Sequence, residues 1–448
     1  MIILHYFLGF PPYRTGGLTK YAFDLMLSLK EKGHDVLALW PGEIKSYKSN
    51  PRIKKRKSIS GIDNYEIINP LPVSLDEGIC NFEEYTKECD SLIYETFLRE
   101  IKPDVIHVHT LMGLHKEFIE AANRLKIKTV FTTHDYFGIC PKVTLYRYRK
   151  CCDNDHGCED CIQCNVNALS LKKIRIMQSA LYRKLKNSYI IKKLRASHRE
   201  AFFENETIPG MPRIDIKKKS ESYSELRKYY TDMLESMDII HFNSTLTEKI
   251  YRKYITPKCS RVISITNKEV KDNRNTNEWK HTDKLRILCL APAKPYKGFK
   301  ILKKALDELW DDGIRNFELR IFSPVQNPSP YMIVKEEGYD YSEIGSIFAD
   351  SDVLVAPSIW YETFGFTVLE AISYGTPVII SENMGARDIV GNGGIVVKAG
   401  SAEDLKNVIL GLTNEKLDEL HFNILNSSHK FDWDEFVCEN IKLYEEIS

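Results

Sequence analysis

Short apolar runs that stop abruptly, each followed by a segment of helical period, recur along this chain in two separate series. "MIILHYF" ends at Gly-Pro and reads as a buried strand. "LTKYAFDLMLSLKEKGH" follows, with Leu18, Tyr21, Ala22, Leu25, Met26 and Leu29 at three- and four-residue intervals, and Gly33 stops the helix. "DVLALW" is the next strand, and a strand–helix–strand start predicts a right-handed parallel unit. The pattern returns in "PDVIHVHT" (Pro103–Thr110), "HKEFIEAANRLK" and "KTVFTTHD" (Lys128–Asp135), then in "YSELRKYYTDMLESM" and "DIIHFNS".

Between Lys271 and Asp283 the chain turns polar and loses its period, which marks a linker at residues 271–283. The second series then opens with "KLRILCLAP", "FKILKKALDELWDDG", "FELRIFS", "YSEIGSIFADS" and "DVLVAPS". A chain of 448 residues is too long for one compact core. Two α/β units are therefore expected, residues 1–270 and 284–430, each Rossmann-like and facing the other across a cleft. Residues 431–448 form a last amphipathic helix that is free to pack back on the first domain.

Several classes are excluded early. Hydrophobic content of 43% with 28% charged residues describes a globular chain. A net charge of +1 gives no electrostatic footprint for nucleic acid. The start lacks a basic leader, and no stretch reaches the ~20 apolar residues of a membrane span. A cytoplasmic protein is expected, so the 11 cysteines are not read as a disulfide framework.

The segment with the most chemistry is "YETFGFTVLEAISYGTPVI", Tyr361–Ile379. It follows the strand "VLVAPS", and ligands of open α/β sheets bind beyond the carboxyl ends of strands. Glu362 thus belongs to a loop at the ligand edge. Gly365 lets backbone approach a ligand, and a helix starting near Thr367 leaves free N–H groups around Phe366 and Thr367 for a phosphate. Glu370 lies one turn further on. A carboxylate accepts two hydrogen bonds at once and suits paired sugar hydroxyls.

With this context, "Glu-x-Phe-Gly-Phe-x-x-x-Glu" resembles the donor-site signature of family 4 retaining glycosyltransferases of the GT-B fold. "GGLTKYAFDLMLSLKEKGHDV", "PDVIHVH", "TTHD" and "IISENMGARDIVGNGGIVV" resemble further parts of that family in the same order. The resemblance implies that Glu362 contacts the transferred sugar and Glu370 the ribose. It places the diphosphate against the backbone from Phe364 and Gly365 to Thr367. His134 is implied near the reacting carbon, and Gly16-Gly17 opposite the donor phosphates. "APAKPYKGFKIL" resembles the family's basic phosphate loop, in which Lys297 matches the lysine. The family's usual arginine falls on Pro292, a departure that Lys294 is placed to offset. Asp350-Ser351-Asp352 has the letters of a metal-binding DxD but precedes its strand, so no catalytic divalent metal is expected.

About residues 140–220 have no counterpart in the family pattern. Cys158-x2-Cys161-x2-Cys164 with Cys151 upstream, and Cys140 or Cys152 as alternates, offers thiolates for a structural zinc. Asn165–Arg199 then has ten Lys/Arg and no acid, interleaved with Leu169, Ile174, Leu181, Leu185, Ile190, Ile191 and Leu194. A basic amphipathic helix of this kind is suited to an anionic bilayer.

The expectation is a hexosyltransferase-type enzyme, peripheral on the inner face of the cytoplasmic membrane. It moves a sugar with retention from a nucleotide-diphosphate donor, a UDP-sugar ahead of a GDP-sugar, to a glycan or lipid-linked acceptor in bacterial surface polysaccharide assembly. An epimerase on the same fold and a non-catalytic partner subunit are the competing readings.

Overall fold

A computed structural model describes the chain apart from residues 46–49, 75–76, 205–209, 211, 213–214, 277–278, 292–293 and 447–448, with backbone alone at 196 and 198–204. Pro292, where the sequence departs from the family's arginine, lies outside the described residues, as do parts of the 140–220 segment.

The first domain is built on β1 (Ile2–Tyr6), β2 (Asp35–Pro41), β3 (Arg52–Ile59), β4 (Ile62–Ile68), β5 (Val105–Val108) and β6 (Lys128–Thr132). A separate small hairpin, β7 (Tyr146–Arg147) and β8 (Lys150–Cys151), comes next, and β9 (Ile239–Phe242) and β10 (Ser260–Val262) complete the sheet. Its order is β10-β9-β6-β5-β1-β2-β4-β3. The pairings are parallel except β3 with β4, which are antiparallel. The second domain carries β11 (Leu285–Cys289), β12 (Phe317–Ile321), β13 (Met332–Val334), β14 (Val353–Ala356), β15 (Val378–Ser381) and β16 (Gly394–Val397). This sheet is parallel throughout, in the order β13-β12-β11-β14-β15-β16.

Helices on both faces explain why central strands such as "VLVA" and "VIIS" are buried at every position. In the second sheet the strand order reverses between β11 and β14, so the loops leaving these two strands lie side by side over a crevice. The first sheet has the same break between β1 and β5. The α/β class with two Rossmann-like domains is thus what the alternation predicts.

Three connections differ from the simple pattern. The described part of 271–283 is fastened to the second domain: Arg274 donates to the carbonyls of Ile424 and Ser427, and Trp279 stacks on His421 at 4.3 Å. The basic stretch is not one helix but three, Leu171–Met177, Ala180–Leu185 and Tyr189–Glu204. Ser179 caps the second by accepting from the Tyr182 N–H at 3.1 Å, which starts a new helix where continuous periodicity predicts one. The last helix, Trp433–Glu445, leaves the second domain and packs on helix Gly17–Glu31 of the first, where the Trp433 indole donates to Ser28 Oγ at 2.8 Å.

Candidate active site

The two crevice loops of the second domain hold a compact ion pair. After β11 the chain makes a 3-10 turn, Pro295–Lys297, closed by Gly298 at φ +80. A side chain at Gly298 would run into the carbonyl oxygen of Pro357, so only glycine lets this turn press on the loop after β14. The Lys297 ammonium therefore meets the Glu362 carboxylate, with Nζ at 2.5 Å from Oε1 and 2.7 Å from Oε2. Ser358 Oγ and the Trp360 indole donate to Oε2 at 2.9 and 3.2 Å. Burial pushes the Glu362 carboxyl up, but Lys297, Ser358 and Trp360 outweigh it and hold the group below the usual carboxylate range. Lys294, in the same loop, donates to the Tyr296 hydroxyl at 2.7 Å.

The Glu362 backbone is fixed as well. Its N–H donates to Asn383 O and its carbonyl accepts from Gly385 N–H, both at 2.9 Å. Gly365 then turns the chain at φ +113 into helix Phe366–Ser373. The amides of Phe366 and Thr367 head this helix, where no preceding turn supplies acceptors. Phe364 is 2% exposed and sits in the core against Phe366, so its side chain supports the loop and does not line the cleft.

Glu370, 8% exposed, faces Tyr341. Burial raises its carboxyl to about 7, with the Tyr341 hydrogen bond opposing and the nearby Glu269 adding to the rise. Glu362 and Glu370 thus differ in state: one is a paired carboxylate, the other a buried acid that titrates near neutrality.

The first domain faces this arrangement with a second helix N-terminus. Gly16 caps helix Gly17–Glu31, and a Cβ at Gly17 would lie 3.7 Å from the Phe366 ring. His134 follows β6, and its carbonyl accepts from Thr363 Oγ1 of the Glu362 loop at 3.1 Å. The structure therefore brings Gly17, His134, Lys297, Glu362 and the Phe366 helix start to one cleft. His134 Nε2 stands 3.4 Å from His109 Nδ1, and the His134 ring meets Tyr21 edge-on at 4.8 Å. Burial lowers its pKa to about 3, so the ring is neutral at physiological pH.

Sequence reasoning missed the packing beneath this surface. His5, His107 and His109 are buried together, with His5 Nδ1 3.0 Å from His109 Nε2. His107 bridges Tyr444 of the last helix and Thr132, each at 2.7 Å. Alternate residues on one strand, as in "HVH", point to one face; here that signal marks a hydrogen-bonded floor under His134. Ser358 and Trp360 were findable as neighbours in the strand-end loop. Tyr341 gave no local signal.

The Cys151 thiol donates to the Ile359 carbonyl at 3.1 Å and accepts from Asn383 Nδ2 at 3.4 Å. In the DxD, Asp352 is buried against Arg286, with Oδ1 2.6 Å from Nη2, and Asp350 pairs with Arg320 at 3.3 Å.

The architecture, two facing Rossmann-like domains with the functional loops at the crevice, is the GT-B fold. Residues 15–154 match the family model described as Glycosyltransferase Family 4, and residues 284–415 the one described as Glycosyl transferases group 1. The chain belongs to the family 4 glycosyltransferases. It is 32% identical over 121 residues to the glycogen synthase of Finegoldia magna, covering 24% of this chain and 25% of that protein. The chain thus matches about a quarter of the length of such curated relatives. Among solved structures, sucrose-phosphate synthase of Thermosynechococcus elongatus is similar at TM-score 0.56 and 15% identity, over 100% of this chain and 98% of that one. HepE of Anabaena, in complex with UDP, is similar at TM-score 0.57 and 12% identity, over the full length of both chains.

Proposed function

We propose that the protein is a retaining hexosyltransferase that moves a sugar from a UDP-sugar to a hydroxyl of a lipid-linked glycan, as in the assembly of bacterial surface polysaccharide. The observation that carries this reading is the Lys297–Glu362 pair between two helix N-termini. Lys297 and the helix starts at Gly17 and Phe366 are placed to take the charge of a diphosphate. Glu362 holds the sugar hydroxyls and Glu370 the ribose. The bond from the anomeric carbon to the diphosphate oxygen breaks as the bond to the acceptor oxygen forms on the same face. The acceptor proton passes to the departing diphosphate. Neutral His134 is a hydrogen-bonding wall for the sugar and adds no charge beside the developing cation. The UDP bound to HepE favours uridine over guanosine.

A membrane-borne acceptor is supported by the segment 165–199. Ile176, Leu181, Leu185, Tyr189, Ile190 and Leu194 are exposed there, beside exposed Lys172, Lys173, Lys192 and Lys193. No helix among the described residues is long and apolar enough to cross a membrane, and these exposed apolar and basic side chains suit contact at a bilayer surface. Arg183 is not part of that surface, since it pairs with the buried Glu66 at 2.6 Å.

Thermal melts with a panel of UDP-, GDP- and ADP-sugars test the donor. A UDP-sugar should raise Tm and the others leave it in place. A shift with GDP-sugars alone would overturn the uridine assignment, and no shift with any would overturn the donor site. Flotation with phosphatidylglycerol vesicles tests the surface. The protein should float, and the quadruple change of Lys172, Lys173, Lys192 and Lys193 to Gln should abolish it. Equal recovery of the two would overturn the membrane reading.

A further inference from the structure

Five histidines gather at the carboxyl ends of the first sheet: His5 on β1, His107 on β5, His241 on β9, and His109 and His134 just beyond β5 and β6. His5, His107, His109 and His241 are buried, and His134 is half-buried. Burial is the main cause that lowers the pKa of all five below the usual imidazole range. Each ring therefore carries one N–H and one bare nitrogen. A neutral ring bonded through both nitrogens donates at one and accepts at the other, so a chain of such rings has a direction.

Two chains run through the cluster. In the first, His241 Nε2 stands 2.8 Å from the Ile263 carbonyl, which can only accept. His241 thus holds its proton on Nε2, and its Nδ1 accepts from the Thr132 hydroxyl at 2.9 Å. With that hydrogen spent, Thr132 Oγ1 accepts from His107 Nε2–H at 2.7 Å, and His107 Nδ1 accepts from the Tyr444 hydroxyl at 2.7 Å. This chain starts on the last helix and ends on a backbone carbonyl.

The second chain reaches the cleft. His134 Nε2 is 3.4 Å from His109 Nδ1, and His109 Nε2 is 3.0 Å from His5 Nδ1. At its inner end His5 Nε2 is buried and, among the described residues, has no partner. Two directions satisfy the inner bonds. One leaves a hydrogen on His5 Nε2 with nothing to receive it. The other leaves a bare lone pair there and puts the hydrogens of His5, His109 and His134 on their Nδ1 atoms. A buried N–H without an acceptor is the rarer end, so the chain points outward from His5. Among the described residues His134 Nδ1 has no hydrogen-bond partner, and its hydrogen is the outer end. Tyr21 packs edge-on against the rings of both His134 and His109, at 4.8 and 5.8 Å, and holds them in place.

We infer that His109, backed by His5, is a positioning residue that fixes His134 in its Nδ1–H form and so gives the cleft a neutral hydrogen-bond donor for an oxygen of the transferred sugar. What this donor meets rests on the sugar-transfer reading of the cleft; the direction of the chain rests on the hydrogen bonds alone. A donor set in advance needs no reorientation as the sugar reacts.

Nuclear magnetic resonance of full-length protein, isotopically labelled at the histidine nitrogens, tests the direction with no substrate present. At neutral pH, His5, His109 and His134, each assigned by its loss in a single variant, should show a protonated Nδ1 and a bare Nε2. His107 and His241 should show the reverse. A protonated Nε2 at His134, or shifts averaged over its two nitrogens, would overturn the inference whatever the protein transfers. Steady-state transfer gives the second reading. His109→Leu removes the donor to His134 and should lower kcat about tenfold, the worth of one well-placed hydrogen bond. Affinity for UDP, which has no sugar to meet His134, should stay within ~twofold. His109→Asn sets an amide N–H where Nδ1–H stood, and should keep the Nδ1–H signal of His134 and restore most of the rate. Equal losses in the two variants, or UDP affinity falling in step with kcat, would mark His109 as structural support only and overturn its positioning role. The spectrum stands apart from turnover, so failure of the chain and failure of the transfer reading are told apart.

Discussion

Glu362 and Glu370 stand eight residues apart and are shifted in opposite directions, because one has a cation and the other has only a phenol. Glu370 rises from 4.5 to about 7, so the folded state holds its proton while the unfolded state has released it. Stability is therefore lost as pH climbs from 4.5 to 7, by about 3 kcal/mol for a shift of this size. Glu370→Gln should raise Tm at pH 8 and leave it unchanged at pH 4.5 in thermal melts; a variant less stable at pH 8 would contradict this. If Glu370 holds the ribose as proposed, its carboxylate form is the binding one, and affinity for a UDP-sugar should rise about tenfold between pH 6 and pH 8. Titration calorimetry should find that rise absent in Glu370→Gln. Glu362 behaves in the opposite way: its pairing stabilises the fold above 4.5 and is lost as pH falls through its depressed value. Lys297→Ala leaves the carboxylate buried with two neutral donors, and should cost about 3 kcal/mol in urea unfolding and at least ~100-fold in kcat. Glu362 and His134 could be placed from sequence because strand ends announce where a crevice lies, and Lys297 and Glu370 because they match positions of the family's motifs. Trp360, Ser358 and Tyr341 act through burial and contact, which no spacing records.

At the scale of elements, glycines decide how the loops meet. Gly365 adopts φ +113, and a Cβ there would stand 2.6 Å from Met384 Cε. Gly365→Ala should destabilise the protein by about 1–3 kcal/mol in chemical denaturation and turn the head of helix Phe366–Ser373 away from the cleft. An alanine variant as stable as the parent would show that this turn is not constrained. The central parallel strands were legible because they read as unbroken apolar runs, whereas β3, β4, β10 and β13 were not, β3, β10 and β13 being largely exposed strands with no such run. The basic stretch was legible in composition but not in shape. Continuous spacing of leucines and isoleucines hid the break at Ser179, whose hydroxyl competes for helix N–H groups. Likewise, spacing nominated Cys151 as a ligand, whereas the hairpin turns its thiol toward the Ile359 carbonyl.

For the whole molecule, two domains followed from length and alternation, but their joining did not. The last helix crosses back to the first domain through Trp433, 8% exposed, and Tyr444, which reaches the His107 floor. Trp433→Ala should cost about 3–5 kcal/mol and loosen the cleft from behind, seen as a fall in Tm and faster amide exchange in helix Gly17–Glu31. The two halves also meet at Ser244 Oγ with the Thr363 carbonyl, 2.7 Å apart, and at Thr245 with Asp388. Contacts this distant in sequence leave no pattern along it. The central claim is that this cleft transfers sugar through the Lys297–Glu362 pair. Release of UDP from UDP-sugars, followed with a membrane-lipid extract as acceptor, tests it most directly. The wild-type protein should release UDP with one sugar donor, and Glu362→Ala, folded with an unchanged circular dichroism spectrum, should lose at least ~100-fold of that rate. Release that persists undiminished in Glu362→Ala, or a wild-type protein inert to the whole panel, would contradict it.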